Sequence, residues 1–292
     1  MSVGDDFQNF CNNLRMSSET VTTIRNRYHQ ITKRINLDYY SSDSTTNHSL
    51  YVGSYGRGTE IFTSDIDMIV QLPYSTYKKF NNYSGNGQSA LLQEVKGVLQ
   101  KTYSKSYAKG DGQVVGIDFA DGIDFEIVPA FINDDSSYTY PDSNNGGSWK
   151  TTDPKKEISA MNTMNSSTNK NLKRLCRMAR SWKIHCNVPI SGILIDTLAY
   201  KFISTWQFKD KSYFHYDYMS RDFFCYLKDL STDQAYWLAP GSGRYVWKYG
   251  NFQSKAKVAY NTSLEAIQKE SDGYATSSKL KWREIYGTKF PK

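Results

Sequence analysis

The 292-residue chain carries 36 Lys+Arg against 29 Asp+Glu, a net charge of +7, and is long enough to bury a large core in one big domain or two interlocked ones. The basic excess is moderate, so it suits binding of polyanions without by itself demanding nucleic acid. Four widely spaced cysteines with no C-x-x-C pair argue against a disulfide framework or zinc ribbon, no run approaches a membrane span, and MSVGDDFQNF lacks a signal peptide's charged and apolar regions; the expectation is a soluble cytoplasmic protein.

Residues 1–16 are polar and carry no clear pattern. From Ser18, apolar residues at Val21, Ile24, Tyr28, Ile31 and Ile35 fall three and four apart, which predicts a helix with one buried stripe. A Ser/Thr-rich connection, 43–47, leads to Leu50–Leu72, LYVGSYGRGTEIFTSDIDMIVQL. Here a short apolar run meets Gly53-Ser54, where a tight turn can offer backbone N–H groups and a hydroxyl to phosphates at a helix start. Asp65-Ile66-Asp67 follows and runs into Met68-Ile69-Val70. Side chains alternate faces along a strand, so Asp65 and Asp67 project together while Ile66 points into a core. Two neighbouring carboxylates repel and need a cation, and an oxygen-only, highly charged set suits Mg²⁺ or Mn²⁺. A phosphate cradle feeding a D-x-D strand is the layout of a nucleotidyltransferase active site.

Pro73 ends that strand, because proline cannot donate to the ladder. Residues 74–87 are polar, aromatic and Gly-punctuated, with Gly85-Asn86-Gly87 read as a loop, and Leu91, Leu92, Val95, Val98 and Leu99 read as a second amphipathic helix. GQVVGIDFA, Asp121-Gly122 and IDFEIVPAF read as a hairpin with a type I′ turn at Asp-Gly. In its second run Asp124 and Glu126 share one face and Ile123, Phe125 and Ile127 the other, so either acid can supply a third carboxylate beside Asp65 and Asp67. Residues 133–157 form a long polar stretch, read as the crossing into a helical half. There Leu172, Leu175, Cys176, Ala179 and Trp182 make a stripe with basic residues around it, and 189–206 is apolar nearly all round, predicting a buried helix. Asp196 inside that helix needs a partner. A short helix at 221–230, a turn at 240–244 and a terminal helix marked by Ala256, Ala259, Tyr260, Leu264 and Ile267 complete the chain.

GSYGRGTEI followed at short distance by SDIDMIV resembles the G-S…D-x-D signature of the DNA-polymerase-β-like nucleotidyltransferases. The GSYxRGT form resembles the bacterial cyclic GMP-AMP synthase/DncV-like enzymes (CD-NTases) in particular. That resemblance implies an α+β, bilobed fold: a nucleotidyltransferase core over residues 1–150 and a mostly helical lobe over 151–292 closing the nucleotide cleft. FEIVPAF resembles the family's third-acid strand, with Glu126 at the acid position where many relatives carry Asp, and Asp124 as the rival. R-S-W-K resembles the K-x-W helix, which puts Arg180 on the donor triphosphate, with Arg177 and Lys183 within one turn. Ser191 matches a serine that touches donor phosphate; a plain helix cap is the other reading.

The implied reaction is two-metal nucleotidyl transfer with two Mg²⁺ (or Mn²⁺) ions. Asp65 and Asp67 would bridge the ions, Glu126 would hold the one on the nucleophile side, and Gly53 and Ser54 would hold the β- and γ-phosphates. Enzymes of this family join nucleoside triphosphates, here ATP and a second NTP, into cyclic di- or trinucleotide messengers that activate a separate effector, in bacteria typically for anti-phage (CBASS) signalling. No His/Cys cluster supports a zinc insertion, so a nucleic-acid activator of the animal DNA-sensor type is unsupported; the default state is a monomer. Rival readings are a non-cyclising nucleotidyltransferase, which would use the same acids, and a catalytically silent nucleotide- or RNA-binding module.

Overall fold

The computed structural model describes residues 2–61, 65–104 and 106–292; Phe62–Ser64, within the Leu50–Leu72 stretch, lie outside the described residues. In chain order the elements are α1 (Val3–Asn13), α2 (Ser18–Tyr40), β1 (Ser49–Tyr51), α3 (Gly53–Arg57), β2 (Asp65–Gln71), α4 (Tyr74–Asn81), α5 (Gly87–Gln100), β3 (Tyr107–Asp111), β4 (Val114–Asp118), β5 (Asp124–Ile132), β6 (Tyr138–Asp142) and β7 (Ser148–Thr152). Then follow α6 (Pro154–Ser167), α7 (Asn171–His185), α8 (Gly192–Thr205), α9 (Tyr216–Asp229), β8 (Tyr236–Leu238), β9 (Tyr245–Trp247), α10 (Gln253–Ser271) and α11 (Ala275–Tyr286). The expected α+β class holds. The chain forms two compact units, one of Met16–Gly56 and Thr63–Lys155, the other of Met1–Arg15, Arg57–Phe62 and Lys156–Lys292. The division expected after residue 150 differs from this: α1 and the segment that begins at Arg57 group with the C-terminal half.

The first unit is built on a mixed sheet in the order β1-β2-β5-β4-β3, with β6 on β5 and β7 on β6. Among the described residues β2 and β5 run parallel and the other pairs are antiparallel. Alternation sends Ile66, Met68 and Val70 of β2 and Phe125 and Ile127 of β5 into one core, where they meet Ile24, Ile31 and Ile35 of α2 and Leu91, Leu92, Val95 and Leu99 of α5. Each such fully buried aliphatic side chain stabilises the fold by about 1.5–3 kcal/mol. Val21, counted in the α2 stripe, instead stays exposed.

Several local readings are corrected. The β4–β5 turn is not type I′, which needs positive φ at both central residues; of Asp121 and Gly122, only Gly122 has it (73°). Instead Gly122 N–H closes back on Phe119 O at 2.9 Å, and Arg27 clamps the turn through both Asp121 oxygens (2.9 and 2.8 Å) while lying 3.8 Å over the Phe119 ring. Residues 74–81 are helical: Pro73 ends β2 as expected but also stands at the N-cap of α4, a helix that buries only Thr76 and Phe80 and so leaves little periodic signal. The 133–157 stretch contains the β6–β7 hairpin and the start of α6; its polar composition fits β7, where Ser148, Lys150 and Thr151 are exposed.

The second unit is mostly helical around one core. The α7 stripe is buried as predicted, and α8 buries Leu194, Ile195, Leu198, Ala199 and Ile203. α1 belongs here: Phe7, Phe10 and Leu14 are fully buried, with Phe7 5.0 Å from Trp282 and Phe10 4.7 Å from Tyr286. Ser2 and Asp5 form a capping box at its start. α10 is not the terminal helix, since α11 follows and supplies Trp282, Ile285 and Tyr286 to the core. Leu264, assigned to the α10 stripe, is exposed.

Candidate active site

The acids are placed by strand register. Parallel pairing of β2 with β5 sets Asp65 opposite Asp124 and Asp67 opposite Glu126. Ile66 and Phe125 point to the other face and are fully buried, so the period of two turns all four carboxylates to the same side. Asp124 is committed elsewhere: its Oδ1 accepts the Phe119 N–H at 2.7 Å and so fixes the β4–β5 turn. Glu126 is not so committed. Loss of hydration, then the charges of Asp67 and Asp65, then a hydrogen bond with Asp67 push its carboxyl above the ordinary range.

The glycine turn is pressed onto this strand. Val52 N–H donates to Asp67 O at 2.9 Å, and Gly53, at φ +59°, begins α3. A Cβ on Gly53 would lie 1.8 Å from Asp67 Oδ2. Both the positive φ and the missing side chain are therefore required, and Ser54 is delivered next to the acids as the second residue of α3. Gly53→Ala should displace the Asp67 carboxylate; the expected result is a loss of about a hundredfold or more in turnover with at most a few kcal/mol of stability, read by initial rates beside thermal unfolding.

Among the described residues no group of three or more His, Cys, Asp or Glu side chains is placed so that it could hold a metal ion. The donor set nonetheless fits a divalent cation: it is all oxygen, the acids stand at paired register positions, and their mutual repulsion is visible in Glu126.

Two further predicted residues sit in the helical unit. Arg180 is buried, and its guanidinium faces inward. Nη1 donates to Asp196 Oδ1 at 2.5 Å, and Nη2 donates to Asp196 Oδ2 at 2.9 Å and to Gly192 O at 3.0 Å. A contact between Arg180 and a donor triphosphate would therefore require the guanidinium to leave this buried carboxylate. Arg177 donates to Glu60 O and Gly58 O at 3.0 and 2.7 Å, and burial lowers the Lys183 ammonium. Ser191 caps α8, with Oγ accepting Leu194 N–H at 3.2 Å, which leaves the hydroxyl proton to donate.

The partner that Asp196 needs is thus found, and sequence reasoning had missed half of it. Asp196 Oδ2 also accepts from Arg57 Nε and Thr59 Oγ1, both at 2.9 Å. Arg57 and Thr59 belong to GSYGRGT, and the signal for them was the polar pair in a motif read only for its phosphate turn.

The model of the Second Messenger Oligonucleotide or Dinucleotide Synthetase domain (SMODS) matches residues 1–165. No curated protein matches the chain. Among solved structures, CdnC of E. coli MS115-1, in its complex with HORMA-deltaN, is similar at TM-score 0.70 and 15% identity over 99% of this chain and 98% of its own. CdnG of Bradyrhizobium diazoefficiens, in complex with GTP, gives 0.68 and 10% over 97% and 94%. Apo DncV of Vibrio cholerae gives 0.64 and 14% over 100% and 86%. These likenesses extend the shared fold beyond the residues the family model covers. The model itself spans more than half of the chain, which therefore belongs to the Second Messenger Oligonucleotide or Dinucleotide Synthetase family.

Proposed function

We propose that the chain joins nucleoside triphosphates, ATP and a second NTP, into a cyclic oligonucleotide at Asp65, Asp67 and Glu126. The observation that supports this best is the seating of Gly53 against Asp67, with Glu126 at the paired position on the next strand. CdnC solved with ATP and CdnG solved with GTP add support for triphosphate substrates. Asp65, Asp67 and Glu126 would hold two Mg²⁺ or Mn²⁺ ions, which when bound supply a more acidic ribose hydroxyl and charge neutralisation on departing pyrophosphate. Gly53 N–H and the Ser54 hydroxyl would hold the β- and γ-phosphates, and Ser191 would serve as a nucleotide-binding residue through the proton its hydroxyl still has to give. In each joining step a ribose O–P bond forms, the P–O bond to pyrophosphate breaks, and the hydroxyl proton leaves to solvent.

The messenger would act on a separate effector in anti-phage (CBASS) signalling, with the enzyme a cytoplasmic monomer. Among the described residues no helix is long and apolar enough to cross a membrane. CdnC was solved in a protein complex, so size-exclusion with light scattering is the measurement for the monomer.

The test is incubation with all four ribonucleoside triphosphates and Mg²⁺ or Mn²⁺, phosphatase treatment and mass spectrometry. A phosphatase-resistant cyclic product supports the proposal, and only linear, phosphatase-sensitive products favour the non-cyclising rival. The third acid is separated by a pair of variants. Glu126→Gln should abolish product, whereas Asp124→Asn, whose carboxylate serves the turn, should retain activity within about tenfold and lose about 1–2 kcal/mol of stability. The reverse pattern would move the role to Asp124.

A further inference from the structure

In the helical unit, Arg15 just past α1 and Arg174 and Arg177 on α7 line a cavity of about 50 Å³, together with Cys11, Asn12 and Tyr213. Arg174 and Arg177 stand three residues apart, the spacing that places helical side chains side by side. No carboxylate lines the cavity; Glu60 Oε1 touches Arg177 Nη2 from outside that lining, at 3.5 Å.

Many of the guanidinium donors are unspent. Arg177 uses Nε and Nη2 on the Glu60 and Gly58 carbonyls and leaves Nη1. Arg174 gives Nη1 to Asn169 O (3.1 Å) and Tyr216 Oη (3.2 Å), lies 4.6 Å over the Tyr213 ring, and has no hydrogen-bond partner for Nε or Nη2 among the described residues. Arg15 is exposed and has no side-chain partner among the described residues. The three cations converge: Arg174 and Arg177 both act on the Cys11 thiol, and Arg174 and Arg15 both act on the Tyr213 hydroxyl, each opposing the upward push of burial. With about 10–15 Å³ needed per water, the space takes about three to five waters or one tetrahedral oxyanion.

We propose that this cavity is an oxyanion site that takes the phosphate group of a small phosphorylated ligand. Guanidinium forks match phosphate oxygens, and the lining carries three of them with no lining carboxylate to neutralise them. The volume admits one phosphate, so the remainder of the ligand lies outside the cavity. The proposal is independent of the catalytic assignments above.

The test is calorimetric titration of the full chain with inorganic phosphate and, separately, with AMP, at constant ionic strength set by NaCl. Ser54→Ala serves as background, to remove a phosphate donor from the proposed catalytic site. Saturable binding is expected, weakened about tenfold or more by Arg15→Gln and again by Arg174→Gln, the effect of one charge-assisted hydrogen bond each. Arg15→Gln alters an exposed, partnerless side chain, so it remains informative even if Arg174→Gln unfolds through loss of Tyr216. Equal affinity for phosphate and AMP would show that the phosphate group alone is recognised; tighter AMP binding would extend the site to a nucleotide. Binding unchanged in Arg15→Gln, or heat that NaCl alone reproduces, would overturn the proposal.

Discussion

Asp67→Asn is expected to lower the rate of pyrophosphate release by about a thousandfold or more while leaving the fold intact. The argument is local. Asp67 touches the glycine turn twice: its backbone carbonyl accepts Val52 N–H at 2.9 Å and its carboxylate meets the side-chain-free face of Gly53. It is also register-paired with Glu126 and raises that group's proton affinity. Asparagine keeps the shape, so Gly53 and α3 should stay where they are, but it removes the charge on which cation binding rests. Removing one of several repelling carboxylates relieves Glu126, so in metal-free buffer the melting temperature should be unchanged or higher. Initial rates and thermal unfolding, measured on the same preparation, check this. A variant that is inactive and also strongly destabilised would mean that Asp67 serves the fold rather than the chemistry.

How much of this was legible beforehand follows from where each signal lies. The acids, the core-facing Ile66, Phe125 and Ile127, and the stripes of α2, α5 and α7 were readable because strand and helix periods are local properties of the chain. The pairing of β2 with β5 was only guessed, because register depends on contacts some sixty residues apart. Which of Asp124 and Glu126 is uncommitted was not readable at all: it depends on whether a turn N–H five residues earlier takes one of them. α1 was passed over although Val3, Phe7, Phe10, Cys11 and Leu14 fall at helical spacing, because Asp5, Asp6, Asn9, Asn12 and Asn13 between them make the segment polar overall. What engages Arg180 was not readable either. A motif match places a cation on a helix, but only the fold shows that a buried Asp196 lies against it.

That buried carboxylate carries the largest stability effect. Asp196→Ala should cost about 3–5 kcal/mol, because Asp196 is fully buried and its removal leaves two buried cations, Arg57 and Arg180, without the charge that holds them. The remaining acid of the network, Glu157, cannot substitute: it lies 3.4 Å from Arg57 Nη1 and is already taken by Ser242 (2.9 Å) and Arg244 (2.5 Å). Asp196→Asn keeps the shape and should cost less. The pH dependence has a definite sign. Burial alone would raise the Asp196 carboxyl, but Arg180 and Arg57 outweigh it and hold it at about 2, below its ordinary 3.8. A depressed carboxyl contributes stability that is complete above its unfolded value and lost as pH falls through its folded one. The wild type should therefore lose this contribution between about pH 4 and pH 2, and Asp196→Asn should lack that part of the slope, as read by urea unfolding across the range. The same network gives the decisive experiment on Arg180. If it serves Asp196, Arg180→Gln lowers the unfolding midpoint while KM for ATP, measured well below that midpoint, stays within about twofold; a large rise in KM at unchanged stability would return Arg180 to the triphosphate.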